Sequence, residues 1–349
     1  MKGNEAIGEA AVVAGCRHYF GYPITPQSEL IEYMAKRLPQ VDGVFLQAES
    51  ELSAINMVYG AAAAGCRVMT SSSSPGISLK QEGISYIAGS QLPCVIVNMQ
   101  RGGPGLGSIQ PGQADYFQAT KGGGHGDYHN IVLAPNSVQE MADITAEAFD
   151  LADKWRNAVM ILGDGALGQM MEPVEFKEKN AAAVEKTWAA TGLRGRKTHN
   201  VINSLYLQPD LCEKHNHVLQ DKYTQIQAEE TRWECLQTED ADIIVVAYGI
   251  TSRIAQTAIG KARAAGVKVG LFRPITLWPF PSKPLAALCP TAKAFAVFEM
   301  SAGQMVEDVR LAVNGARPVF FHGRTGGMLP TPKELFDQIM SVSRGEGGK

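Results

Sequence analysis

The stretch VFLQAESELSAINMVYGAAAA, Val44–Ala64, decides how this chain is read. Its first four residues have the apolar run of a buried strand, AES makes a short polar corner, and the small residues that follow suit a closely packed helix. The corner sets Glu49 and Glu51 between the carboxyl end of a strand and the start of a helix. In open α/β sheets that is where ligands gather. A carboxylate there also has a plain structural use, because the free N–H groups and dipole of a helix N-terminus stabilise negative charge.

Working outward, the same alternation of strand and helix recurs. Residues 4–17 carry apolar side chains at helical spacing, and Tyr19–Ile24 reads as a short strand. Thr25-Pro26 then reads as a helix start, with Thr25 as N-cap and Pro in the first turn, where a missing N–H costs nothing. A hydroxyl at a helix N-terminus is equally a place for a substrate carboxylate. Val68–Ser74 is a strand running into a helix from about Ser78 to Gly89. Pro93–Met99 is a buried strand that delivers Arg101 to the glycine-rich run QRGGPGLG, where backbone can approach a ligand. An arginine behind so buried a strand suggests an anion partner. The second glycine cluster, KGGGHGD (Lys121–Asp127), offers His125 and Asp127 either as catalytic groups or, more simply, as loop-fixing ones. A strand at 131–134, a helix at 138–154 and a strand at 158–162 complete a parallel sheet with helices on both faces.

From about residue 172 to 240 the chain turns polar and charged, as helix and loop joining two units. Cys212, His215 and His217 lie close together there, but a second ligand pair is missing, so they read as ordinary residues. A smaller α/β unit follows from Asp242, running through ADIIVVAYG, VKVGLFRP and AFAVFEM to a final helix at about 332–342. The expected domains are therefore 1–235, with a helical linker from about 172, and 240–349. A length of 349 residues accommodates both, at about 150 residues per domain.

Composition removes several classes. A net charge of −3 and the lack of a Lys/Arg stripe give no case for nucleic acid or an anionic membrane. No apolar run reaches the roughly 18 residues of a membrane span, and no basic-then-apolar leader opens the sequence. Six scattered cysteines lack cluster spacing and suit free thiols in a reducing cytoplasm. GDGALG (Gly163–Gly168) satisfies the dinucleotide fingerprint after a strand. Its context fails, since Pro173 interrupts the next helix and no second strand ending in an acid follows.

Taken together, YPITPQSE, LQAESE, SSSSPGISLKQEG, MQRGGPGLG, DYFQATKGGGHGDY, LFRPITLWPFP and EMSAGQM resemble the α-subunit of 2-oxoacid:ferredoxin oxidoreductases over nearly the whole chain. SSSSPGISLKQEG and KGGGHGD resemble most the branched-chain, 2-oxoisovalerate type, with the 2-oxoglutarate type as rival. The resemblance implies an α/β fold: a pyrimidine-binding domain of a thiamine diphosphate enzyme, then a smaller domain like the transketolase C-terminal one. It implies that Glu49 contacts N1′ of the aminopyrimidine, with Pro23 shaping the same corner and Glu51 acting as a helix-start acid. It implies further that Thr25 lies by the substrate carbonyl and that Arg101 holds the substrate carboxylate. No metal ligand is expected on this chain. GDG resembles the start of the magnesium–diphosphate motif, yet ATGLRG stands where its asparagine pair belongs.

By the same resemblance, a β-subunit supplies the diphosphate and Mg²⁺ site and a [4Fe–4S] cluster, with separate γ and ferredoxin-like δ subunits. A 2-oxoacid loses carbon dioxide, coenzyme A takes the acyl group, and ferredoxin is reduced. The competing readings are a self-sufficient transketolase-like enzyme, a non-catalytic structural subunit and an NAD-binding protein.

Overall fold

Eleven elements of the first unit alternate almost strictly: α1 (Gly3–Val13), β1 (His18–Gly21), α2 (Ser28–Arg37), β2 (Val44–Gln47), α3 (Glu51–Ala63), β3 (Val68–Ser72), α4 (Ser74–Gly89), β4 (Cys94–Gln100), α5 (Tyr116–Thr120), β5 (Ile131–Leu133) and α6 (Val138–Trp155). They are followed by β6 (Ala158–Asp164), α7 (Gly165–Gln169) and the long α8 (Pro209–Glu229). The structure is a computed structural model, and it describes residues 1–177 and 184–346. The 178–183 part of KEKNAAAVEKTW, expected to be helix and loop, lies outside the described residues.

The second unit contains β7 (Trp233–Leu236), β8 (Ile243–Val246), α9 (Gly249–Ala264), β9 (Val269–Pro274), β10 (Thr276–Trp278), α10 (Ser282–Ala286), β11 (Ala294–Glu299), α11 (Met305–Val313), β12 (Val319–Gly323) and α12 (Pro332–Ser343). Two sheets result. The larger runs β10-β5-β6-β4-β3-β1-β2 and the smaller β12-β11-β8-β9-β7. Pairing is parallel except for β10 on β5 and β7 on β9. Every residue of β3, β4 and β6 is buried, as the centre of a sheet covered on both faces requires.

The chain lays β2 beside β1, then returns across β1 to place β3 on its other side. The order therefore reverses between β1 and β3. Loops after these two strands diverge and leave a crevice.

Three expectations change. The strand at Val44 is not buried: β2 is the last strand of its sheet, and Val44 and Leu46 are 46% and 39% exposed. An apolar run signals strand, and the sequence pattern does not say whether a neighbour covers it. Thr25 does not cap α2. That helix starts at Ser28 with Gln27 in the cap position and no side-chain cap bond. The helix expected from Ser78 begins a turn earlier, at Ser74, with Pro75 in its first turn.

One strand of the second unit crosses to the first. β10 follows β9 of the small sheet but joins β5 of the large one, while β7 leads into the small sheet. The contact between them centres on Gln113, which is fully buried. Its Nε2 donates to Tyr248 O (2.9 Å), and its Oε1 accepts from Thr251 Oγ1 (2.8 Å) and Met300 N (3.0 Å). Its backbone N–H donates to Met300 O (2.9 Å), and its carbonyl accepts from the Tyr248 hydroxyl (3.2 Å). Nearby, Tyr116 donates to Asp308 (2.5 Å), and Lys121 forms an ion pair with the same carboxylate.

Gln113→Ala would leave buried partners on the second unit unsatisfied. It should lower unfolding stability by about 3 kcal/mol, at 1–3 kcal/mol per stranded group; urea unfolding of the variant against the parent measures this.

Candidate active site

The parallel strands point their carboxyl ends one way, and the motifs singled out in the sequence collect there. Register brings them together: Gly21 at the end of β1 pairs with Gln47 at the end of β2, and Ala48 N donates to Gly21 O (2.9 Å). Tyr22–Thr25 and Glu49 thus leave neighbouring strands side by side. Ser72 ends β3 opposite Asn98 of β4, and Arg101 follows two residues beyond Met99.

Arg101 is buried and binds backbone. Its Nη1 donates to Thr25 O (3.0 Å) and its Nη2 to Leu106 O (2.9 Å). Its Nε is buried and finds no partner among the described residues. The guanidinium therefore ties the loop after β1 to the glycine-rich loop after β4, and keeps one donor in reserve. Thr25 and Pro23 are exposed, and the contact that joins Thr25 to Arg101 is through its carbonyl. Below them, Ser74 Oγ and Asn98 Nδ2 both donate to Asp115 (2.6 and 2.9 Å), and Ser74 Oγ accepts from Arg101 N (3.1 Å). Burial pushes the Asp115 carboxyl above its ordinary range, against these two hydrogen bonds and the nearby Arg101 charge.

The two glutamates of the corner differ. Glu49 is exposed at the end of the edge strand, and its carboxylate accepts from Ser53 Oγ at 2.6 Å, which holds it below the usual range. Glu51 is the first residue of α3, behind an N-cap in which Ser50 Oγ accepts from Ser53 N. It is 6% exposed. Its Oε1 and Ser72 Oγ stand 2.6 and 2.0 Å from where a Cβ on Gly76 would be, so Glu51 turns toward the end of β3 and the crevice. Among the described residues no hydrogen-bond donor reaches its carboxylate. A nearly buried carboxylate without a donor is costly, and such groups are normally paired or bound. Ser72 Oγ is also buried without a partner.

Other motifs have structural duties. Asp164 of GDGALG caps α7, accepting from Ala166 N and Leu167 N (3.0 and 3.1 Å), and its second oxygen takes Ile250 N of the other unit (3.4 Å). Burial raises its carboxyl to about 6. A Cβ on Gly165 would stand 3.0 Å from Pro26, and one on Gly168 2.7 Å from Met99; these glycines serve close packing. His125 Nδ1 meets Ser85 Oγ at 3.2 Å, and the Asp127 backbone carbonyl accepts from Gln220 (2.7 Å), contacts that tie this loop down. His215 Nε2 meets Gly89 O at 2.7 Å and its ring stacks on Tyr206. The loop at 323–328 packs on the loop after β4: Ser108 Oγ donates to Gly326 O (3.0 Å), and a Cβ on Gly102 would stand 2.7 Å from Gly326 backbone.

The sequence reading passed over Lys80, Ser72, Asn98, Gln113 and Asp115. Only Glu51 carried a signal, the repeated acid of E-S-E.

A doubly wound sheet with an open carboxylate at its reversal and a second α/β unit packed on its loops defines a class, and comparison with known proteins agrees. Residues 9–234 match the family described as pyruvate flavodoxin/ferredoxin oxidoreductase, thiamine diphosphate-binding, and residues 241–335 match pyruvate:ferredoxin oxidoreductase core domain II. The chain belongs to the 2-oxoacid:ferredoxin oxidoreductases, as an α-type subunit.

Within that family it is 53% identical to the ketoisovalerate oxidoreductase subunit VorB of Methanothermobacter marburgensis, over 98% of this chain and 97% of that one. Identity to the 2-oxoglutarate synthase subunit KorA of Methanothermobacter thermautotrophicus is 36%, over 99% and 98%. Among solved structures, the 2-oxoglutarate:ferredoxin oxidoreductase of Magnetococcus marinus superposes with a TM-score of 0.86 at 28% identity. The match covers 98% of this chain and 64% of that one. A split-gene transketolase shares the fold, with a TM-score of 0.63 at 15% identity.

The family implies thiamine diphosphate, and the site suits it: Glu51 offers an unengaged acceptor, and Ser72 Oγ and Arg101 Nε are unspent polar atoms beside the same crevice. Gly76→Ala would set a methyl against Ser72 and Glu51. Both obstructing atoms are side-chain ends, so the fold should survive while cofactor affinity falls about tenfold, the scale of an overpacking cost of 1–3 kcal/mol; calorimetric titration of the apo-complex measures it.

Proposed function

We propose that this chain forms half of the active site in a cytoplasmic complex that oxidatively decarboxylates 2-oxoisovalerate and related branched-chain 2-oxoacids. The products are carbon dioxide, the branched acyl-CoA and reduced ferredoxin. The observation that carries the substrate is the gap between 53% identity to a ketoisovalerate subunit and 36% to a 2-oxoglutarate one. The other half comes from a β-subunit bearing the diphosphate and Mg²⁺ site and a [4Fe–4S] cluster, with γ and ferredoxin-like δ subunits completing the electron path. All six cysteines are free thiols, which supports a reducing compartment.

When bound, thiamine diphosphate supplies the nucleophilic carbon and the electron sink for loss of carbon dioxide. This chain's part is to hold the aminopyrimidine and the substrate. A carboxylate at N1′ keeps a proton shared there, which makes the 4′ nitrogen basic. The resemblance puts that role on Glu49. Burial, the lack of a donor and a place beside the β1/β3 reversal support Glu51 instead, and leave Glu49 as the exposed acid bound by Ser53. Arg101 holds the substrate carboxylate, its free Nε supporting that role. Thr25 and Pro23 form the neighbouring wall, where Thr25 lies by the substrate carbonyl.

In the assembled complex, Glu51→Gln should cost about a hundredfold or more in turnover, the range of a lost acid–base contact, and Glu49→Gln distinctly less. The reverse order would return the role to Glu49. Near-parental turnover in both variants would end the assignment of a catalytic acid to this corner.

A second measurement addresses the substrate. The complex purified through this chain, given coenzyme A and a low-potential viologen without oxygen, should reduce the dye fastest with 2-oxoisovalerate. A preference for 2-oxoglutarate would keep the mechanism and change the substrate.

A further inference from the structure

Lys80 has no exposure at all. Lysine is among the residues most rarely buried in full, and when it is, a compensating charge is normally present. Here Nζ donates to Thr70 Oγ1 at 2.7 Å, and among the described residues no carboxylate lies within ion-pair distance. A hydroxyl alone does not offset a buried ammonium.

The anion that faces it is Glu51. Gly76 and Lys80 are four residues apart on α4 and so share one face, a turn apart. Gly76 is the residue against which Glu51 Oε1 and Ser72 Oγ pack. On β3, Thr70 and Ser72 are likewise two residues apart on one face, about 6.5 Å along the strand. The ammonium and the carboxylate therefore lie in the same layer between α3, α4 and β3, near neighbours without direct contact. Burial lowers Lys80 to about 7, and Glu51 acts in the opposite sense. From β3 the layer presents neutral Thr70 and Ser72. The next charged groups, Asp115 and Arg101, are engaged around Ser74 at the start of α4.

We propose that Lys80 is a positioning residue for Glu51: a buried counter-charge, fixed by Thr70 in the same layer, that faces the carboxylate and leaves its oxygens unoccupied until the cofactor's pyrimidine binds. A direct ion pair would occupy the acceptor that the pyrimidine needs. A cation one helical turn away stabilises the anion through the low-dielectric layer and leaves its oxygens free. The proposal rests on the reading of Glu51 as the pyrimidine contact.

The test uses the assembled apo-complex and thiamine diphosphate itself, with affinity measured by calorimetry from pH 5.5 to 8 alongside turnover. A carboxylate that has lost its cation is the stronger base. Lys80→Met should therefore move the limb of cofactor binding that Glu51 sets up by about one pH unit. In a Glu51→Gln background the same substitution should shift no limb.

An unmoved limb in Lys80→Met while Glu51→Gln loses affinity overturns the lysine's role and leaves that of Glu51 intact. Parental affinity in Glu51→Gln overturns both. An equal affinity loss from Lys80→Met in both backgrounds marks the lysine as structural and also overturns the proposal. If Lys80→Met does not assemble, the near-isosteric Thr70→Val removes the ammonium's anchor. It should shift the limb in the same direction by less, and no shift there is likewise contrary.

Discussion

Gln113 has no access to water, and the second unit takes up both its side-chain amide and its backbone amide. A buried amide so placed tolerates little sliding, because each displaced partner would be left unpaired in a medium that cannot replace water. The clamp fixes more than stability. It holds the segment after β4 against the loop at 323–328, where glycine backbones touch and Ser108 reaches Gly326. Arg101 begins that segment and is bound to its middle through Leu106. The position of the proposed carboxylate-binding group thus depends on contacts made with the second unit.

The crevice itself is organised by what is left unsatisfied. Around it, polar groups are paired closely: Tyr19 with Ser71 and Ser71 in turn with Gln27, Ser74 and Asn98 with Asp115, Asp164 with three backbone N–H groups. Beside the crevice, the Glu51 carboxylate, Ser72 Oγ and Arg101 Nε find no partner among the described residues, as do buried atoms elsewhere such as Asn157 Oδ1 and the Tyr223 hydroxyl. What sets the crevice group apart is that its members lie together at strand ends, where a ligand can fill them. The buried Lys80 ammonium does not close the gap, since Thr70 holds it.

Much of the fold was legible because strand and helix differ in hydrophobic period and because central parallel strands are apolar throughout. The rest was settled by long-range geometry. The run at Val44–Gln47 has the residues of an interior strand and lies at the edge; β10 leaves its own unit to pair with β5; Thr25-Pro26 has the chemistry of a cap but precedes the helix by two residues. The site was legible by motif and less so by residue. Strand ends gave Thr25, Arg101 and the acidic corner. The difference between Glu49 and Glu51 is one of burial, and it depends on how α3 leaves the sheet and meets Gly76 of α4. Lys80 is unremarkable in SLKQE, and only its full enclosure sets it apart.

The edge of the sheet carries the last step. Strands at an edge are usually protected by charge, proline or a covering element. β2 is short, yet Val44, Leu46 and, at the start of α3, Leu52 are exposed, with Tyr22 just beyond the adjoining strand. Apolar side chains exposed near one another in the chain at a sheet edge suit an interaction surface. It borders the same corner that leaves a carboxylate without a donor. A self-sufficient enzyme would cover the first and engage the second from within its own chain. Both features suit the proposed division of the site, in which this chain would supply the pyrimidine-facing acid and the substrate's arginine and another surface the remainder.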